Sequence, residues 1–335
     1  MIYDCFSFFN ELDILEIRLN TLAPIVDRFV LVESVWTHTG KPKPLYFADN
    51  KNRFKPFLDK IIHIVVNDND LPPIPSGVTE REIAWIRENV QRNAIVKGLT
   101  DAKPDDILMI SDLDEIPNPE KVLEVSKSPK GITNINLKNY AFFLNNLNVA
   151  APIWTGGPQL LTYRTFLDHK TYARFAYSEY APRCANPIPS ATVIRFARKD
   201  RTIRNAGWHF SSMGGIKSLK AKLHAFAHTE FAAGLPSDED LEKRLRNGQG
   251  LFNFGDFFMA EPLEIALPPF IRNNQKRFSK MILPASSEHW SKCRFKRFYL
   301  RLHKTLHDRA IGIIIAVTPR FARPFFARIR HSLGI

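Results

Sequence analysis

"DDILMISDLDEIPNP", residues 105–119, sets a short apolar run against three acids and then two prolines. Ile107, Leu108, Met109 and Ile110 have the continuous apolar character of a central strand covered on both faces. Asp112, Asp114 and Glu115 follow directly, where an open α/β sheet offers the carboxyl ends of its strands to ligands. Two residues apart, the aspartates project the same way from extended chain. A cation between them relieves their repulsion, and an oxygen-only pair suits a hard divalent ion, Mg²⁺ or Mn²⁺. A solvated acidic loop that merely closes a strand fits the same residues. This stretch by itself leaves both readings open.

Outward from that strand, the first half of the chain alternates two periodicities. "IYDCFSFF" (2–9), "RFVLVES" (28–34) and "KIIHIVVND" (60–68) read as strands. A helix follows the first, with Leu12, Leu15, Ile17, Leu19 and Leu22 at helical spacing, Asn10 as N-cap and Pro24 as its stop. A second helix is expected over 80–99, before "DDILMI". This βαβ rhythm predicts an α/β protein with a doubly wound, mostly parallel sheet. Beyond residue 120 the pattern loosens. Strands are expected at 133–146 and 158–166, a hairpin over 191–211 turning at Lys199-Asp200, and a helix at "SDEDLEKRLRNG" (237–248).

Charge divides the 335 residues into three parts. Residues 1–120 carry 13 Lys/Arg against 20 Asp/Glu, residues 121–271 carry 19 against 12, and residues 272–335 carry 15 against 2. The net +13 is thus concentrated in the last fifth, which points to an anionic surface as partner rather than to a basic active site. The same boundaries serve as expected domain limits: 1–120, 121–271 and a basic extension, 272–335. "MIYDCFSFFNELD" has none of the marks of a signal peptide, and no apolar run approaches the ~20 residues of a membrane span. Cys5, Cys184 and Cys293 have no metal-ligand spacing and fit a reducing cytosol.

The order of parts, and then the text itself, resemble glycosyltransferase family 17, the bisecting N-acetylglucosaminyltransferase III relatives. The stretches that carry the resemblance are "YDCFSFFNELDILEIRLNTL", "DRFVLVESVWTHTGKPKPLYF", "QRNAIVKGL", "ISDLDEIPNP" and "AGWHFSSMGG", covering about residues 2–215. The resemblance implies a GT-A-like fold and a metal-dependent, inverting transfer of N-acetylglucosamine from a UDP-sugar to a glycan or lipid-linked saccharide. It makes Asp112 and Asp114 the pair that holds Mn²⁺ or Mg²⁺ on the donor diphosphate, with His209 as a third metal or diphosphate contact. Glu33, Arg92, Asn93, Glu115 and Trp208 become donor contacts. Glu33 can equally cap the neighbouring turn, Arg92 can be one of several solvated helix charges, and Trp208 can fill core. Inversion needs a general base, for which Glu230 is chosen over Glu179, Asp240 and Asp256. A non-catalytic GT-A-like binding protein is the rival from another class.

Residues 291–335 interleave aromatic side chains with Arg and Lys. Phe295, Phe298, Tyr299, Leu302 and Leu306 have near-helical spacing, as in an amphipathic helix lying on an anionic bilayer. Helices packing back on the catalytic domain with a solvated basic face are the alternative, and nucleic acid is not expected as a partner. The eukaryotic anchor of the family is absent from this sequence, so the expected location is cytoplasmic, peripheral on the inner membrane face, in a bacterial-type member.

Overall fold

The computed structural model describes residues 1–74, 76–169, 190–226, 236–251 and 256–317. Glu179, Glu230 and Cys184 lie outside the described residues. The chain begins β1 (Ile2–Phe8), α1 (Leu12–Leu22), β2 (Arg28–Ser34), α2 (Tyr46–Asp49), β3 (Ile61–Val66), α3 (Glu80–Asn93) and β4 (Ile107–Asp112). It continues β5 (Glu115–Pro117), α4 (Pro119–Ser126), β6 (Thr133–Ile135), β7 (Leu137–Ala141), β8 (Asn146–Asn148), β9 (Ile153–Trp154), β10 (Gln159–Thr162) and α5 (Tyr163–Asp168). Next come α6 (Ala191–Phe196), β11 (Arg201–Ile203), β12 (Gly207–Ser211), α7 (Gly215–Ala225) and α8 (Asp238–Arg246). The last elements are β13 (Phe258–Ala260), α9 (Leu263–Ala266), α10 (Pro269–Asn273), α11 (Ser287–Lys292) and α12 (Arg294–Val317).

These fall into two compact units. The first comprises Met1–Lys138, Trp154–Phe210 and Lys220–Ala233. It is built on a seven-stranded sheet of order β11-β6-β10-β4-β1-β2-β3. Strands β3, β2, β1 and β4 are parallel, as the βαβ rhythm predicts, and β10 enters antiparallel between β4 and β6. Alternate residues serve the two faces. Tyr3, Cys5, Val30, Val32, Leu108 and Ile110 share one apolar cluster, while Phe6, Phe29, Leu31 and Met109 are buried between them in sequence. Burial on both faces is why these strands read as unbroken apolar runs.

Local chemistry sets the element ends. Helix α3 starts with a reciprocal cap, in which Thr79 accepts from the Glu82 amide and the Glu82 carboxylate accepts from the Thr79 amide. It gives way after Asn93 to a tighter 3₁₀ turn over Ala94–Gly98, so the helix expected over 80–99 is two pieces. Helix α1 starts at Leu12, with Glu11 rather than Asn10 at the N-cap and no side-chain cap bond.

Three expectations in the middle of the chain are corrected. Residues 133–146 divide into β6, β7 and the start of β8, and Thr162 caps a helix, α5, in the second half of 158–166. The hairpin over 191–211 does not form. "ATVIRF" is helix α6, and β11 pairs in parallel with β6, not with β12. Tertiary contacts override the β-branched composition there: Asn93 Oδ1 accepts from the Ser190 hydroxyl (2.9 Å) and the Thr192 amide (3.1 Å) at the start of α6. Lys199 Nζ then donates to the carbonyls of Ile194 and Arg195 at its end.

The second unit comprises Asn139–Ile153, Ser211–Leu219 and Gly234–Ile335. Strands β8 and β13 pair antiparallel, and the Tyr140 hydroxyl donates to Glu261 at 2.5 Å. Helix α12 turns one face inward, with Leu300 buried, Arg301 donating to the Val149 carbonyl at 3.2 Å, and Lys304 3.5 Å from Asp256. Helix α8 has the expected start, Ser237 accepting from the Asp240 amide. Among the described residues, no helix is long and apolar enough to cross a membrane.

Candidate active site

All the side chains of the site described here belong to the first unit. Strand β4 ends at Asp112, the chain turns through Leu113 and Asp114, and β5 begins at Glu115. β5 pairs antiparallel with β12, His209 opposite Glu115 and Gly207 opposite Pro117. The approach is close enough to require glycine. Gly207 has φ +148°, and a Cβ there would stand 2.3 Å from the Ile116 carbonyl oxygen.

The two aspartates do not face one common partner. Asp112 is held by Arg92 at 2.7 Å through one oxygen and by Arg195 at 3.0 Å through the other. Burial opposes its ionisation, but Arg195 and Arg92 outweigh burial and keep the carboxyl below the usual range. Asp114 receives Lys222 Nζ at 3.1 Å on one oxygen, with His209 Nε2 3.9 Å from the other. The same ammonium lies 3.1 Å from Glu11, which accounts for the vacated cap of α1. His209 is buried and its ring stacks on Trp154, centroids 4.3 Å apart. Burial lowers its pKa to about 4, against the pull of Asp114, so the imidazole is neutral at pH 7.

Glu115 is fully buried, accepting from Trp154 Nε1 at 2.8 Å, from Arg195 at 3.2 Å and from the Asp112 amide at 3.0 Å. Burial pushes its carboxyl up, Asp112 adds to that, and Arg195 opposes it. Among the described residues, five carboxyl groups (Glu11, Glu88, Asp112, Asp114 and Glu115) thus meet three permanent cations (Arg92, Arg195 and Lys222). Among the described residues, no group of three or more His, Cys, Asp or Glu is arranged to hold a metal. A hard dication bound by one or two carboxylates, with water and substrate phosphates completing its shell, is what such a donor set fits.

Beside this turn is a small pocket, with about 20 Å³ of free volume, lined by Phe9, Trp36, Thr37, His38, Lys43, Gln91, Ala225 and Phe226. Gln91 is fixed by its amide bonds to the Phe8 and Val32 carbonyls at the ends of β1 and β2. Its Oε1 meets His38 Nε2 at 3.1 Å. Among the described residues, Trp36 Nε1 and His38 Nδ1 have no hydrogen-bond partner, and His38 Nδ1 lies 3.8 Å from Glu88.

Of the residues expected from sequence, Arg92, Asp112, Asp114, Glu115 and His209 come together. Asn93 stands behind them, anchoring the helix that carries Arg195. Trp208 alternates with His209 along β12 and so points to the other face of that strand, and Trp154 is the indole in the group. Glu33 is completely buried, accepting from the Phe47 amide (3.1 Å) and contacting His63 (3.1 Å) and Lys43 (3.6 Å). Its carboxylate braces the start of α2, not the "THTG" turn. Asp240 is exposed at the first turn of α8, and Asp256 pairs with Lys304, both in the second unit. Sequence reasoning missed Glu11, Trp154, Arg195 and Lys222, whose partners are distant in the chain.

A family model described as glycosyltransferase family 17 matches residues 1–186. Over 120 residues, 34% of the chain, the sequence is 32% identical to beta-1,4-mannosyl-glycoprotein 4-beta-N-acetylglucosaminyltransferase of Homo sapiens, and equally to that of Rattus norvegicus. The match spans 21% of the length of each of these curated relatives. Among solved structures, that of LgtC aligns with a TM-score of 0.33 at 12% identity, covering 61% of this chain and 71% of that one.

Proposed function

The chain belongs to glycosyltransferase family 17, and from that premise we propose that it moves N-acetylglucosamine from UDP-N-acetylglucosamine to a glycan or lipid-linked saccharide, with inversion to a β-linkage. The observation that carries this reading is the acidic turn after β4, where among the described residues five carboxyl groups meet three permanent cations beside an aromatic pocket. Trp36 Nε1, buried and without a hydrogen-bond partner among the described residues, is the donor we assign to a ring carbonyl of the base. Asp112 and Asp114 would hold Mn²⁺ or Mg²⁺, which when bound neutralises the donor diphosphate and stabilises the departing nucleoside diphosphate. Arg92 and Arg195 fix Asp112 and carry further N–H donors suited to phosphate oxygens. Buried Glu115, tied to Trp154 and Arg195, shapes the wall on the sugar side. His209, neutral and stacked, is the proposed third contact. Glu230 is the base we assign to the acceptor hydroxyl proton.

The acceptor is proposed to lie at an anionic membrane surface on the cytoplasmic side. The support is α12, where Phe295, Phe298, Tyr299, Leu302 and Leu306 recur at i, i+3, i+4, i+7 and i+11 and are 46–78% exposed. Exposed Arg294, Lys296 and Arg301 flank this stripe.

The deciding experiment is nucleoside-diphosphate release across a panel of sugar nucleotides, with Mn²⁺ and with chelator, for wild type and Asp114→Ala. Selective release from UDP-N-acetylglucosamine, lost with chelator and at least 100-fold slower in the variant, is expected. Equal release by the variant would remove Asp114 from the mechanism. Release from another donor would rename the substrate.

A further inference from the structure

We infer that Arg18 is the positioning residue of the acidic turn, a role that rests on reading Asp112 and Asp114 as ligands of the donor's metal and diphosphate. Arg18 lies in the body of α1, with its side chain wholly buried. Its guanidinium forks onto Asp4 of β1, Nε to Oδ2 at 2.8 Å and Nη2 to Oδ1 at 2.6 Å. Nη1 then donates to three main-chain carbonyls of the turn: Asp112 (2.9 Å), Leu113 (3.0 Å) and Glu115 (2.9 Å). Nη2 also donates to the Ser111 hydroxyl at 2.6 Å.

A turn that leaves a buried strand points carbonyls inward, where water does not reach them, and each needs a donor. One guanidinium serves all three, its two Nη1 hydrogens shared among them, and uses its other three N–H groups on Asp4 and Ser111. Because the main-chain oxygens of 112, 113 and 115 converge on Arg18, the conformation of the turn that displays Asp112 and Asp114 is set from beneath. The cations above the turn behave differently. Arg92, Arg195 and Lys222 touch the carboxylates themselves and can exchange them for ligand. Arg18 touches only main chain and Ser111 there, and its charge is already matched by Asp4. A lysine has neither the planar fork nor enough donors for this set.

The test uses the full chain and two variants. Arg18→Lys keeps the charge. The pair Arg18→Met with Asp4→Leu removes both charges, so that neither is left buried alone should the single substitution prevent folding. Hydrogen–deuterium exchange is expected to quicken at least tenfold across 113–116 while β2 and β3 keep their protection. Unchanged exchange at the turn would overturn the assignment. Calorimetry with uridine, UDP and UDP plus Mn²⁺ supplies the functional half. Uridine affinity should hold, and the Mn²⁺-dependent gain for UDP should fall at least tenfold. Retention of that gain, or loss of uridine and UDP binding together, would also overturn the positioning role. Wild-type UDP binding indifferent to Mn²⁺ would instead defeat the metal reading of the aspartates, while the exchange measurement still decides for or against Arg18.

Discussion

Lys222 shares one ammonium between Glu11 and Asp114, so a dication that takes up Asp114 competes with a cation built into the protein. Lys222→Met should therefore bind Mn²⁺ more tightly, by roughly tenfold or more, since a unit charge at this range in a partly buried site is worth several kcal/mol. Manganese titration followed by electron paramagnetic resonance measures this directly, and weaker binding would mean that the lysine helps to hold the donor complex. His209 gives a pH prediction. Its folded pKa of about 4 lies below the ordinary 6.5, so the native state disfavours the proton. The stability is fully present above pH 6.5 and is lost progressively as pH falls towards 4, by about 3 kcal/mol. Urea unfolding of His209→Gln should show a flatter profile across that window, and an identical profile would assign the acid sensitivity to other groups. Asp112 and Asp114 were legible in sequence because they follow their strand directly. Arg18 and Lys222 were not, because what defines them is a partner about a hundred residues away. Glu33 was legible as a strand end, but nothing local said that its carboxylate turns inward to the α2 amide.

At the scale of elements, α12 presents two unlike faces. Leu300 is buried and Arg297 and Lys304 are half-covered, whereas the stripe from Phe295 to Leu306 is exposed. The double variant Phe295→Ser with Phe298→Ser should lose at least tenfold in affinity for vesicles of anionic lipid. Its melting temperature should be unchanged, because both side chains are already in solvent. Binding should also weaken with added salt. Vesicle sedimentation reads both effects, and intact binding by the variant would remove the bilayer as partner. Helices with strong ends, such as α8 behind Ser237, were legible from the sequence. Helix α6 was not, since "ATVIRF" has strand composition and becomes helix only because Asn93 and Lys199 close its two ends. Propensity over six residues is a weak prior, and two capping contacts are enough to reverse it.

For the molecule as a whole, the parallel half of the sheet was legible because strands buried on both faces leave an unmistakable apolar record. The antiparallel entry of β10 and the far edge at β11 were not, because three- and four-residue strands carry too few positions to show a period. The order of that sheet has a consequence for synthesis. β1 lies between β2 and β4, yet β4 leaves the ribosome long after β2. While residues 35–106 are being added, roughly 4 to 14 s at bacterial or eukaryotic speeds, one edge of β1 has no neighbour. Over the same interval, the carbonyls that will occupy Arg18 have not yet been made. An open apolar edge is a template for the wrong strand, from this chain or another. The interval before Ile107 arrives is therefore the stage of synthesis at which β1 is open to mispairing.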